Sequence, residues 1–139
     1  MLRFTRQADY GVVLLTFVAL DREGLVHNAR DLAALAQLPL PTVTKVLKAL
    51  ARAGILSSQR GVKGGYRLVR RAEEISLAEI IAAFEGPLAL TQCADHGPGC
   101  EIRAACPARS GLHAVGRSIH ESLEAVSLRD VAQASAAAR

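Results

Sequence analysis

The sequence predicts a mainly α-helical fold with one small β-hairpin and a long helix near its C-terminal end. Three observations carry this. Apolar residues recur at helical spacing through most of the chain, and Ala, Leu and Arg, all good helix formers, are abundant. One short stretch, Ile55 to Val69, instead alternates around a glycine-rich turn. Half of the 139 residues are hydrophobic but only 4% are aromatic, so the core must be aliphatic and alanine-rich. That length suits one domain with an appendage.

The first helix is expected from about Arg6 to Leu20, with Val13, Phe17 and Leu20 on one face. Its apolar run, Gly11 to Leu20, is too short to span a bilayer and lacks a signal-peptide layout, so a cytoplasmic protein is expected. Asp21 to Gly24 ends the helix. Asn28 then reads as an N-cap with Asp31 at the third helical position, opening a short helix from Ala29 to about Ala36. Pro39 closes the turn, and Pro41 suits the first turn of the next helix.

That third helix, about Thr42 to Ala53, has a divided surface. Val43, Val46, Leu47 and Leu50 make an apolar stripe, while Thr42, Thr44, Lys45, Lys48 and Arg52 occupy the opposite face. A helix with its back in a core and cations with small hydroxyls in front suits a DNA major groove. Gly54 terminates it as a C′ residue. A strand from Ile55 to Gln59, the turn Arg60-Gly61-Val62-Lys63-Gly64-Gly65 and a return strand from Tyr66 to Val69 complete the order of a winged helix-turn-helix. The glycines would let backbone amides approach phosphates. The turn matches neither nucleotide-binding glycine fingerprint.

Charge supports the same partner. Residues 32–72 contain no Asp or Glu but eight cations: Lys45, Lys48, Arg52, Arg60, Lys63, Arg67, Arg70 and Arg71. Nine basic and thirteen acidic residues remain outside, a net of −4 against +4 for the whole chain. A basic block on an otherwise acidic protein is the footprint expected for a polyanion. The plainer alternative is a solvated basic face.

Beyond the hairpin, Ser76-Leu77-Ala78-Glu79 is a capping box opening a helix to Phe84 or Glu85, with Ile80, Ile81 and Phe84 inward. Gly86-Pro87 stops it, and residues 88–106 form a loop holding the chain's three cysteines, Cys93, Cys100 and Cys106, spaced C-x6-C-x5-C. Their odd number argues against a closed disulfide framework. Three thiolates in a Gly/Pro-broken loop can hold zinc or an iron–sulfur cluster, normally with a fourth ligand. The C-x2-C knuckle commoner for zinc is missing, and three unligated thiols are the remaining alternative. Pro107 marks the last long helix. Its apolar positions, Leu112, Val115, Ile119, Leu123 and Val126, form a narrow seam suited to a dimer contact. Ser127 with Asp130 caps a short final helix, and the Ala-rich tail from Ala132 is expected to fray. The chain thus divides into residues 1–75 (winged helix-turn-helix), 76–106 (linking helix and cysteine loop) and 107–139 (dimerisation helix and tail). His27, His96, His113 and His120 have no convincing nucleophile or base partners, which argues against a hydrolase or transferase, and no enzyme is expected.

These parts together resemble one family. The start L-R-F-T-R-Q-A-D-Y, the helix P-T-V-T-K-V-L-K-A-L, the wing R-G-V-K-G-G-Y-R-L, the run I-S-L-A-E-I-I-A-A-F-E-G-P and the cysteine order are similar to the IscR/NsrR-type winged-helix regulators, the Rrf-two superfamily. The run E-G-P-L-A-L-T-Q-C looks most like the regulators found beside SUF iron–sulfur assembly genes. The resemblance implies a homodimeric repressor on a palindromic operator. It also implies an iron–sulfur cluster on Cys93, Cys100 and Cys106, with [2Fe–2S] favoured over [4Fe–4S]. Isc-type members place a histidine three residues after the last cysteine, where this chain has Arg109, a poor ligand. Nitric-oxide-sensing relatives use an acidic residue of the other subunit, and Asp9 holds that position here. Asp9 is therefore the favoured fourth ligand, with His96, Glu101 and His113 as other candidates. The DNA contacts expected are Thr42, Thr44, Lys45 and Lys48 from the helix, and Arg60, Lys63, Gly64, Gly65, Tyr66 and Arg67 from the wing. Arg67, Arg70 and Arg71 could equally be exposed strand-end charges, and Tyr66 could pack inward. A nitric-oxide or redox sensor controlling other genes, or an iron–sulfur carrier, are the alternative functions.

Overall fold

In the computed structural model, residues 3–21, 24–90, 100–102 and 104–138 are described. Local capping sets where most helices begin. Thr5, Asn28, Ser76 and Ser127 each accept a hydrogen bond from an amide three residues on, starting α1 (Arg6–Leu20), α2 (Ala29–Ala36), α4 (Leu77–Glu85) and α6 (Leu128–Ala137). Two helices start without a side-chain cap, α3 (Leu40–Arg52) and α5 (Arg109–Glu124). α3 begins two residues earlier than its sequence pattern suggests. Pro41 sits in its first turn, where a missing N–H costs nothing, so the helix extends back to Pro39.

Between α3 and α4 lie β1 (Leu56–Gln59), β2 (Gly65–Leu68) and a 3-10 turn at Ala72–Glu74. The strands pair antiparallel, Leu56 with Leu68 and Gln59 with Gly65. His27 bridges the other edge of β2: its N–H donates to Tyr66 O and its carbonyl accepts from Tyr66 N, both at 2.8 Å. The wing is thereby stitched to the chain just before α2.

The core gathers Leu14, Leu15 and Val18 of α1, Leu32 of α2, Val43, Val46, Leu47 and Leu50 of α3, Ile55, Leu56, Ile75, Ile80 of α4 and Leu128 of α6. α1 lies at its centre, packed by α3, α4 and α6. It buries Ala8, Gly11, Leu14, Leu15, Val18 and Ala19. This corrects the expected face: Val13 and Leu20 are each 42% exposed, and Phe17 is half-buried. Nearly every residue from Gly11 to Leu20 is apolar, so several stripes satisfy the helical period, and the neighbours choose among them. Gly11 marks the crossing with α4. A Cβ there would collide with the ring of Phe84, whose Cζ would lie 2.7 Å away.

The C-terminal end also departs from expectation. Residues 132–137 continue α6, whose Leu128 and Ala132 are buried in the core. Backbone bonds from Leu77 N to Val126 O and from Leu128 N to Ile75 O, both 2.8 Å, fasten its start to the start of α4. Arg129 donates to Glu73 at 3.0 Å and to Ala19 O at 3.5 Å. Burial of Leu128 is what makes an Ala-rich helix stable here. A lone helix of this length is marginal in water.

Leu128→Ala is expected to cost about 2–5 kcal/mol, a loss visible in the urea midpoint. Asp130 gives a pH-dependent counterpart. The Ser127 hydroxyl (2.7 Å) and amide (2.8 Å) donate to its carboxylate and hold it below the ordinary value near 3.8. A depressed folded value means the contribution is complete above 3.8 and lost as pH falls through the folded value. The stability gap between wild type and Asp130→Ala should hold steady from neutrality to about pH 5 and close at lower pH, read from urea midpoints across a pH series.

Candidate nucleic-acid interface and cysteine segment

α3 is held from behind and open in front. Val43, Val46, Leu47 and Leu50 are buried, while Lys45 and Lys48 are exposed and Thr42 and Thr44 half-buried. Lys45 and Lys48 are three residues apart and therefore neighbours on one helix face. Arg52 continues that exposed side one turn further on. Neither lysine has a hydrogen-bond or ion-pair partner among the described residues.

The wing presents Arg60, Lys63 and Arg67 as exposed cations around a fully exposed Val62. Arg67 Nε donates to Ser57 Oγ across the strand pair at 3.4 Å. Gly64 and Gly65 are half-buried, and the protein's own backbone already requires glycine at both. A Cβ on Gly64 would lie 2.9 Å from Gly61 O, and one on Gly65 would lie 2.7 Å from the carbonyl carbon of His27. Gly65 also sits at φ +158°, which side chains resist. Tyr66 is half-buried and packs against the core, in line with the inward alternative.

Two cations of the basic block are tied up within the fold. Arg70 pairs with Glu79 and donates to Glu74 O at 3.0 Å. Arg71 lies 3.6 Å from Glu73. The acid-free count along the sequence overstated the charge available to a partner, because the neutralising carboxylates follow within the next nine residues.

The structure brings in side chains that sequence reasoning passed over. Arg6, Gln7 and Tyr10 of α1 face Thr42 and Lys45 of α3 across a groove of about 470 Å³. Arg6 falls outside the acid-free block, so the linear charge pattern gave no signal for it.

The cysteine segment is partly described. Cys93 and the candidate ligand His96 lie outside the described residues. Cys100 and Cys106 are half-buried, and neither forms a disulfide. They flank a turn-rich stretch leading into α5, where Arg109 N bonds to Cys106 O at 3.4 Å. α5 therefore starts at Arg109, two residues beyond Pro107. Glu101 is exposed and His113 half-buried. No three His, Cys, Asp or Glu side chains among the described residues converge into a metal site. Two free thiols in one turn-rich stretch have the donor chemistry that iron and zinc take. Asp9 is exposed on α1 and its carboxylate has no hydrogen bond or ion pair among the described residues.

α5 buries none of its own residues, and Val115 is 51% exposed. Val115, Ile119 and Leu123 line an open apolar trough of about 400 Å³ along it, with Ala114, Ser118 and Ser122. Among the described residues no helix is long and apolar enough to cross a membrane.

This is a winged helix-turn-helix of the DNA-binding kind. The chain belongs to the Rrf2 family, described as iron-dependent transcriptional regulators, whose profile matches residues 4–134. It is 30% identical over 140 residues to the HTH-type transcriptional regulator NsrR of Geobacillus kaustophilus, covering 99% of this chain and 95% of that one. It is 25% identical over 130 residues to Protein rrf2 of Nitratidesulfovibrio vulgaris, covering 94% and 87%. Among solved structures, IscR of T. potens superposes with a TM-score of 0.73 at 25% identity, covering 96% of this chain and 88% of that one. CymR (YrzC), the global cysteine regulator of B. subtilis, shares the fold with a TM-score of 0.76 at 22% identity, covering 96% and 98%. As a member of that family the chain is a transcriptional regulator rather than an enzyme.

The cations separate experimentally. Lys48→Ala is expected to weaken duplex binding and to lower the slope of log K against log salt by about 1. Arg70→Ala should leave that slope unchanged and lower the urea midpoint instead, because Arg70 is spent on Glu79 and Glu74.

Proposed function

We propose that this chain is a homodimeric repressor of iron–sulfur cluster assembly genes of the SUF type. It reads its signal through a cluster on Cys93, Cys100 and Cys106. The observation carrying this is the pairing of an anchored, cation-faced α3 with two unbonded, half-buried thiols in the segment that enters α5. A bound cluster supplies redox and ligand-exchange chemistry at those thiolates, with [2Fe–2S] favoured over [4Fe–4S]. The protein's part is mechanical: the thiolates fasten the segment between the DNA-binding unit and α5. The E-G-P-L-A-L-T-Q-C run favours SUF genes as the target.

The dimer reading rests on α5. Its seam of Leu112, Val115, Ile119 and Leu123 has the spacing of a coiled-coil face, with Val126 of the expected seam falling just past the helix end, and the helix buries none of its own residues. Two copies joined there would offer two α3 helices to a palindromic operator. Half-sites one DNA turn apart, about 34–36 Å, make affinity sensitive to the angle between them. A loop held or released by cluster chemistry can bias that angle. Thr42, Thr44, Lys45 and Lys48 would meet the major groove, with Arg60, Lys63, Gly64, Gly65, Tyr66 and Arg67 on the flanking strand or minor groove. Such a protein works in the cytoplasm, where its DNA is.

The exposed Asp9, unpaired among the described residues, favours a second reading, a nitric-oxide or redox sensor controlling other genes. Asp9 shares the outward side of α1 with Val13 and Leu20, so a partner subunit covering that side could receive its carboxylate as fourth ligand. A carboxylate is a weak, exchangeable ligand, which suits a sensor.

Anaerobic purification with visible absorption, iron and acid-labile sulfide analysis on wild type and Cys100→Ala tests the cluster. A thiolate-to-iron band with bound iron and sulfide, lost in the variant, is the expected result. A colourless protein that resists reconstitution would sink the iron–sulfur mechanism and leave a zinc- or thiol-based regulator.

A further inference from the structure

We infer that the groove between α1 and α3 docks one backbone phosphate of duplex DNA, beside the strand that borders the groove read by α3. The inference deepens the DNA-binding reading and rests on it. Five polar side chains line the site: Arg6, Gln7 and Tyr10 from α1, and Thr42 and Lys45 from α3. All five can donate hydrogen bonds, and no carboxylate is among the lining residues. Buried Val46 backs the groove, and Tyr10 packs against the core, so the cleft is preformed.

Electrostatics points the same way. Arg6 occupies the first position of α1, where the positive end of the helix dipole disfavours a cation. α3 begins beside it with no side-chain cap and no acidic residue in its first turn. Two cations and the uncapped start of α3 thus surround one cleft; Asp9, the acidic residue in the first turn of α1, is exposed and does not line it. An anion held there relieves that repulsion. Arg6 and Lys45 are both exposed, and neither has a hydrogen bond or ion pair among the described residues.

Geometry selects DNA as the source of the anion. A helix with its side chains is about 10–12 Å across and fills a major groove about 12 Å wide. The sugar-phosphate strand bordering that groove must then run along whatever flanks the helix. On the N-terminal half of α3, that flank is Arg6, Gln7 and Tyr10. Lys45 belongs to both surfaces and would join the base-reading face to the phosphate-holding cleft.

Phosphate contacts are sequence-independent, so a labelled mixed-sequence duplex about three helical turns long serves as probe, read by anisotropy over a salt series. Arg6→Gln is expected to lose about tenfold in affinity at low salt. Its slope of log K against log salt should fall by about 1. Tyr10→Phe keeps the packing and should lose affinity with its slope unchanged. Arg6 is exposed, so an unaltered urea midpoint in Arg6→Gln confirms that folding is not the cause. Wild-type slope and affinity in Arg6→Gln would overturn the assignment. So would inorganic phosphate stabilising wild type but not Arg6→Gln without any change in slope, since that marks a small-anion pocket. A wild type that binds no duplex at any salt would overturn the reading of α3 itself, and this site with it.

Discussion

Burial of Leu14, Leu15 and Val18 of α1 against α2, α3, α4 and α6 is the constraint on which the rest depends. α1 is the hub: α2 and α3 dock on it, α4 crosses it at Gly11, and α6 packs along it, leaving the side with Asp9, Val13 and Leu20 exposed. α3 can turn its cations outward only because its own apolar stripe is anchored in that cluster. At about 25 cal/mol per Å² of apolar surface removed from water, this packing outweighs any single surface charge interaction. The charged faces follow from the core.

The hub also explains how distant parts of the chain come into register. Glu85, at the end of α4, accepts a hydrogen bond from Thr5 N at 2.6 Å. Thr5 is the N-cap of α1, and α4 runs on toward the cysteine segment. Leu90 lies against Gly116, so the chain leaving α4 runs beside α5. The cysteine segment is thus connected at one end to the N-terminus of α1 and at the other to α5.

Cations divide by whether the fold has used them. Arg70, Arg71 and Arg129 hold the 3-10 turn, α4 and α6 together through Glu73, Glu74 and Glu79. Lys45, Lys48, Arg60 and Lys63 remain on the surface. Arg70 and Arg71 follow Lys63 by only seven and eight residues in sequence, and no count along the chain distinguishes them from it. Position relative to the carboxylates does.

Much was legible in the sequence because it depends on neighbours within a turn or two. Thr5, Asn28, Ser76 and Ser127 cap helices through amides three residues away. The apolar stripe of α3 has one solution on a helix, and the basic hairpin follows from its glycine turn. The bounds of α1 and α2 match their patterns. What tertiary structure alone decided was which of several apolar faces α1 buries and that the Ala-rich end folds as α6. It likewise decided which arginines are spent internally and that Arg6 stands across from Lys45. The physical reason is range. Capping and periodicity act within a few residues, whereas burial and ion pairing depend on groups such as Glu73 and Arg129 that only the folded core brings together.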